Sequence, residues 1–159
     1  MVRSVEAEYL LVAVSPSEQS RRAGRLALRL AKQLGVELRV VAVMPAQLVG
    51  SPLDQLVKPS AVEAGIQSAV TVPDSALRRD LLALNEIVME LLEQSRATGV
   101  RAAYIPLSGS GDVVSRILSE VKRGCVAVVL GAGERRPGRL GHVAESVARR
   151  SPVPVVLVP

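Results

Sequence analysis

The residues best placed to do chemistry lie in one stretch, Gly131–Gly141, which reads GAGERRPGRLG and runs straight into His142. Glycines let backbone approach a ligand closely, and free N–H groups at a helix start favour phosphate oxygens. Arg135, Arg136 and Arg139 could add charge-assisted contacts. An ordinary turn carrying exposed arginines would have the same composition. His142 is the only histidine. At a helix N-terminus the dipole disfavours a cation, so a neutral imidazole donating to a ligand competes with a purely structural role.

Two phosphate signatures can be set against this loop. Gly133–Leu140 has the glycine spacing of a P-loop, but Arg139 and Leu140 stand where Lys and Ser/Thr are required. Leucine cannot hold magnesium, so the stretch does not read as a working P-loop. The dinucleotide pattern GxGxxG fails too, because Arg136 replaces the third glycine. No nucleophile–base–orienter set and no metal-ligand spacing accompanies His142. Cys125 opens an apolar run and reads as an inert core thiol. The expectation is a binding protein rather than an enzyme, with slow ATP hydrolysis left open.

The elements that must position this loop alternate between strand and helix. Tyr9–Val14 is a continuous apolar run ending at Ser15-Pro16, as expected of a parallel strand buried on both faces. Ser17-Glu18-Gln19-Ser20 can cap a helix whose apolar face is Ala23, Leu26, Ala27, Leu30, Ala31 and Leu34, ended by Gly35. Arg22, Arg25, Arg29 and Lys32 form a basic, solvated stripe on its other side. Glu37–Met44 is the second strand.

Residues 45–73 are interrupted by prolines and read as a variable loop or a lid. Asp74 or Ser75 then caps a long helix to about Thr98, with Leu77, Leu81, Leu84, Val88, Leu91 and Leu92 inward and Gly99 at its end. Val100–Leu107 is the third strand, and Pro106 removes a ladder donor there. Ser108–Gly111 is a flexible turn. Asp112 caps a short helix with Val113, Val114, Ile117 and Val121 inward. Cys125–Leu130 is the fourth strand, a helix covers about His142 to Arg150, and Pro154–Val158 is the last strand.

Five strands with helical crossovers imply an open parallel α/β sheet, Rossmann-like, with helices on both faces. Ligands bind such sheets beyond the carboxyl ends of the strands, where strand order reverses. That selects Ser15-Pro16, the segment from Met44, and the loop from Gly131.

Composition sets the outer limits. A chain of 159 residues with 48% apolar content suits one domain, 1–159, with a packed core. With no Phe or Trp, and Tyr9 and Tyr104 the only aromatics, that core must be aliphatic. No apolar run approaches the roughly 20 residues of a membrane span, and the N-terminus does not read as a signal peptide. The lone cysteine makes a reducing cytoplasm the simplest compartment. The net charge of +5 is spread among acids without stacking aromatics, so a nucleic-acid partner is not expected.

Taken together, these segments resemble the universal stress protein family over essentially the whole chain. YLLVAVSPSEQSRRAGRLALRLAKQLGVELRVVAV looks like its first strand, helix and second strand, and GSGDVVSRIL like its short third-helix entry. VAVVLGAG and GHVAESVARRSPVPVVLV resemble its ending. The resemblance implies an adenine-nucleotide-binding-like α/β fold, a dimer, a role in stress adaptation and, in many members, ATP.

In ATP-binding members an Asp ends the first strand; Ser15 stands there. Their phosphate loop is a glycine, two residues, a glycine, nine residues, then Gly-Ser or Gly-Thr. Gly131 and Gly141 match its ends, but the intervening loop is three residues shorter and His142 replaces the hydroxyl residue. The implied pocket would use Val14, Ser15 and Val43 on the nucleoside side. Gly131, Gly133, Gly141, His142 and Val143 would face the phosphates, assisted by Arg135 or Arg139. Magnesium would enter only with a triphosphate. The alternative is a non-nucleotide-binding dimeric interaction or signalling module of the same fold. It would pair through the C-terminal strand, with Val155 and Leu157 at the interface.

Overall fold

The structure is a computed structural model that describes residues 7–43, 75–105, 107, 112–133 and 139–159. Among these residues nine elements follow in chain order: β1 (Tyr9–Val14), α1 (Glu18–Leu34), β2 (Glu37–Ala42), α2 (Ser75–Ala97), β3 (Ala102–Tyr104), α3 (Val113–Ser119), β4 (Cys125–Gly131), α4 (His142–Arg150) and β5 (Val155–Val158). Every strand pair is parallel, in the order β3-β2-β1-β4-β5. The expected α/β architecture is therefore present.

Strand parity divides the core. Leu10, Val12 and Val14 of β1 join Leu38 and Val40 of β2 beneath α1 and α2. Tyr9, Leu11 and Ala13 face the other way, with Val128 and Leu130, onto α3 and α4. Because β1 is central and covered on both faces, all six of its residues are buried. A run without alternation is what that position demands.

The helix starts and stops follow their capping chemistry. Ser17 Oγ accepts from Ser20 N–H at 3.1 Å at the head of α1, which ends at Gly35. Asp112 accepts from Ser115 N–H at 2.8 Å at the head of α3. Arg22, Arg25, Arg29 and Lys32 are exposed, as the stripe reading requires.

Some boundaries differ from expectation. Leu34 is 58% exposed, while Gly24 and Leu28 are buried. The buried face of α1 is wider than one stripe because the helix also packs on α2, where Gly24 meets Leu91. The second strand ends at Ala42, and the third is confined to Ala102–Tyr104 because Val100 N–H closes onto Ser95 C=O at the end of α2. Val113 and Val121 are half-buried but pack against the core on the α3–α4 side, as the inward reading requires. The readings made for 45–73, Asp74, the Leu77 side chain, Pro106 and Ser108–Gly111 lie outside the described residues.

Candidate functional site

Strand order reverses between β1 and β4: the chain builds outward from β1 to β2 and β3, then returns to place β4 on the other side. Connections leaving the carboxyl ends of β1 and β4 diverge there and open a crevice. A cavity of about 330 Å³ occupies this position, within the size range of small-ligand sites. Its walls are Ala13, Ser15 and Ser20 on the β1–α1 side, with Val43 beyond β2. Leu130, Gly131, Gly133, Gly141, His142, Val143 and Ala144 complete it from β4 and α4.

The β1–α1 wall is a knot of hydroxyls. Ser15 Oγ lies 2.8 Å from Ser20 Oγ and 3.2 Å from Ser17 Oγ, and Ser15 N–H donates to Ser20 Oγ at 2.8 Å. Ser20 is buried. Its hydroxyl fixes the end of β1 while Ser17 caps the helix, so the turn is rigid without a charge. Among the described residues, no carboxylate lines the cavity.

The β4–α4 wall is backbone at close quarters. A Cβ on Gly131 would stand 3.1 Å from Gln19 Cβ, a tight contact, so glycine here eases the close approach of the α1 start to the end of β4. Gly133 holds φ +61°, and its carbonyl oxygen would be 2.2 Å from a Cβ on Gly141. Gly133 N–H donates to Gln19 Oε1 at 2.8 Å, and Gly141 N–H to Ala132 C=O at 2.9 Å. Gly141 caps α4 without any side-chain hydrogen bond. The first-turn amides of that helix have no acceptor within the helix, and they begin at the cavity wall.

Ser15, Val43, Gly131, Gly133, Gly141, His142 and Val143 are thus gathered at one cavity, as the sequence suggested. Val14 is not: parity turns its side chain into the core under α1 and α2, and Ala13 lines the cavity instead. Arg139 is exposed and lies beside Glu145 and Arg149 on α4, outside the cavity lining. Arg135 lies outside the described residues. Sequence reasoning does not reach Ala13, Ser20, Leu130 and Ala144; Ala13 and Leu130 are register partners on the α3–α4 face, a pairing with no local signature.

At the opposite end of the sheet, Cys125 is buried and its Sγ faces Ala127 C=O at 3.4 Å. Burial pushes its thiol pKa up, which suppresses the thiolate. Among the described residues no group of three metal-ligating side chains occurs, and no helix is long and apolar enough to cross a membrane.

Comparison with known proteins gives the lineage of this arrangement. The family model described as "Universal stress protein family" matches residues 8–159. No curated protein matches the sequence. Among solved structures, a universal stress protein from Archaeoglobus fulgidus superposes with a TM-score of 0.64 at 19% identity, over 96% of this chain and 93% of that one. One from the same organism in complex with dAMP gives 0.60 at 18%, covering 98% and 99%. Another universal stress protein, in complex with cAMP, gives 0.58 at 22%, again over 98% and 99%. With the family model spanning nearly its whole length, this chain belongs to the universal stress protein family.

Proposed function

We propose that the cavity between β1 and β4 binds an adenine nucleotide, and that the protein is a non-enzymatic stress-response protein acting through that ligand. One observation carries the reading: the uncapped start of α4 meets glycine backbone and a hydroxyl-lined strand end at the reversal point of the sheet. The nucleoside would lie against Ala13, Val43 and the Ser15–Ser20 pair. A phosphate would face the first-turn amides of α4, where helix dipole and free N–H groups act together. Relatives of the same fold bind dAMP and cAMP.

Among the described residues the cavity lining offers no carboxylate to a metal, so any magnesium would arrive on the oxygens of a triphosphate. The buried thiol suits a reducing, cytoplasmic setting. Equilibrium dialysis against AMP, ADP and ATP tests the proposal. Saturable one-to-one binding below millimolar concentration is expected, and no binding at millimolar nucleotide would contradict it.

Assembly is the second part of the proposal. β5 is a sheet edge, and the Pro154 and Val158 carbonyls accept from Val128 of β4 and from Ala132 just beyond it. In a parallel ladder alternate residues turn to the same neighbour, so the backbones of Val155 and Leu157 point to the open side. Pairing with a twofold mate would satisfy them. The interface contacts of β5 are therefore backbone, because the side chains of Val155 and Leu157 pack onto the α3–α4 face.

A further inference from the structure

Resting on that nucleotide reading, we infer that Gln19 is a built-in competitor for the nucleotide's phosphate: its side-chain carbonyl holds the Gly133 amide until an anionic oxygen of the ligand takes it over. The two residues belong to opposite walls of the cleft. Gly133 lines the cavity on the β4–α4 side, and Gln19 directly precedes Ser20, which lines it on the β1–α1 side. Gly133 N–H donates to Gln19 Oε1 at 2.8 Å, in a solvent-exposed hydrogen bond. An amide of one wall whose acceptor stands on the other points across the gap between them.

The position of that amide suits a phosphate. Ala132 N–H still donates to Val158 C=O at 2.8 Å, so Gly133 is the first residue beyond β4 to turn its amide away from β5. Gly133 also abuts the residue that caps α4: a Cβ on it would stand 3.6 Å from Gly141 Cα. Its N–H therefore neighbours the phosphate position of the reading above.

Relative strength decides which acceptor holds the amide. The bond to Gln19 is neutral and exposed, and a bond of that kind contributes little net free energy. A phosphate oxygen is ionised, and its charge-assisted bond is about twice as strong as a neutral one. An uncharged ligand oxygen offers only a bond of the kind it would displace. Gln19 thus yields to phosphate and not to a sugar hydroxyl, which makes it a specificity-determining residue for phosphorylated over unphosphorylated nucleoside. The rival role is a clasp that shapes the cleft for its ligand. The two differ in sign: losing a competitor raises phosphate affinity, whereas losing a clasp lowers it.

The test is calorimetric titration of the full chain with AMP and with adenosine, in the wild type, Gln19→Ala and Gln19→Glu. Gln19→Ala removes the acceptor and keeps the Cβ that meets Gly131. Its AMP affinity should rise about threefold or more, with adenosine unchanged to within about twofold. Gln19→Glu sets an ionised acceptor on the same amide and should weaken AMP about tenfold. Unchanged or weaker AMP binding by a Gln19→Ala protein with native far-UV circular dichroism overturns the inference, as does an equal rise for both ligands. Should Gln19→Ala fail to fold, the nitrogen-15-labelled wild type decides. Saturating AMP should move the Gln19 side-chain amide signals to the position of a solvent-exposed glutamine, and signals that stay fixed overturn the inference. Failure of AMP to bind any of the proteins contradicts the nucleotide reading itself, and so is distinct from a wrong role for Gln19.

Discussion

At Gly141 the cavity wall has no space for one methyl group. The Cβ of an alanine would sit 2.2 Å from the Gly133 carbonyl oxygen, against backbone rather than a flexible side chain. Gly141→Ala must therefore push the start of α4 away from Gly133. Destabilisation of roughly 1–3 kcal/mol is expected by urea titration, with AMP affinity down about tenfold. Unchanged affinity would remove Gly141 from the site.

Tyr9 carries a different burden at the far end of β1. Its ring is fully buried under the Arg39 guanidinium, 3.6 Å from the centroid. The hydroxyl donates to Glu120 C=O at 2.7 Å and accepts from Lys122 N–H at 2.9 Å. Tyr9→Phe leaves both backbone groups unsatisfied and should cost about 1–3 kcal/mol. Burial raises the Tyr9 pKa above its usual 10.0. The neutral phenol is thus favoured by folding: this stability is present below pH 10 and lost as pH rises through the elevated folded value. Urea midpoints of wild type and Tyr9→Phe should converge in that alkaline range, and parallel curves would contradict the assignment.

Among the elements, the caps were the most legible feature. Ser17, Asp112 and the end at Gly35 were each readable from the sequence, because a cap is a local bargain between one side chain and one or two amides. Asp112 makes a sharp test. Its hydrogen bond from Ser115 N–H holds the carboxyl below its ordinary pKa of 3.8. A depressed value means a contribution that is present above about pH 3.9 and disappears as pH falls through the folded pKa. Carbon-detected NMR should place the Asp112 midpoint below 3.8, with the Ser115 amide shifting in step; a midpoint at or above 3.8 would break the cap assignment.

Element faces were less legible than element ends. Six consecutive apolar residues in β1 do not reveal which of Ala13 and Val14 looks into the cavity, since both are buried. Likewise Gly24 and Leu28 became core only through the contact of α1 with α2, a tertiary fact with no local signature. Gln19 was visible merely as part of a capping stretch. Its bond to Gly133 spans 114 residues.

For the molecule as a whole, alternation of apolar runs and amphipathic helices fixed a parallel sheet, and the position of the glycine loop fixed the end where a site belongs. The order β3-β2-β1-β4-β5 was not readable from those runs alone, because every parallel strand looks alike in an aliphatic core. That order leaves β5 as an edge. Val155→Pro removes an N–H directed to the open side and spares the bonds to β4, where proline is tolerated. A dimeric wild type and a folded monomeric Val155→Pro are expected in sedimentation velocity. An unchanged dimer would move the interface elsewhere.

The cleft is also only one of the hollows in the molecule. Another, of about 440 Å³, lies at the opposite ends of the strands and includes Gly35, Glu37, Gly99 and Arg101. Physical argument favours the β1–β4 cleft, where strand order reverses and helix amides converge, over a depression where helices present their carbonyl ends. Titrating nitrogen-15-labelled protein with AMP decides between them most directly. The amides of Ser15, Gly131, His142 and Val143 should show the largest saturable shifts. Shifts centred on Gly35, Gly99 and Arg101, or none at millimolar AMP, would contradict the account.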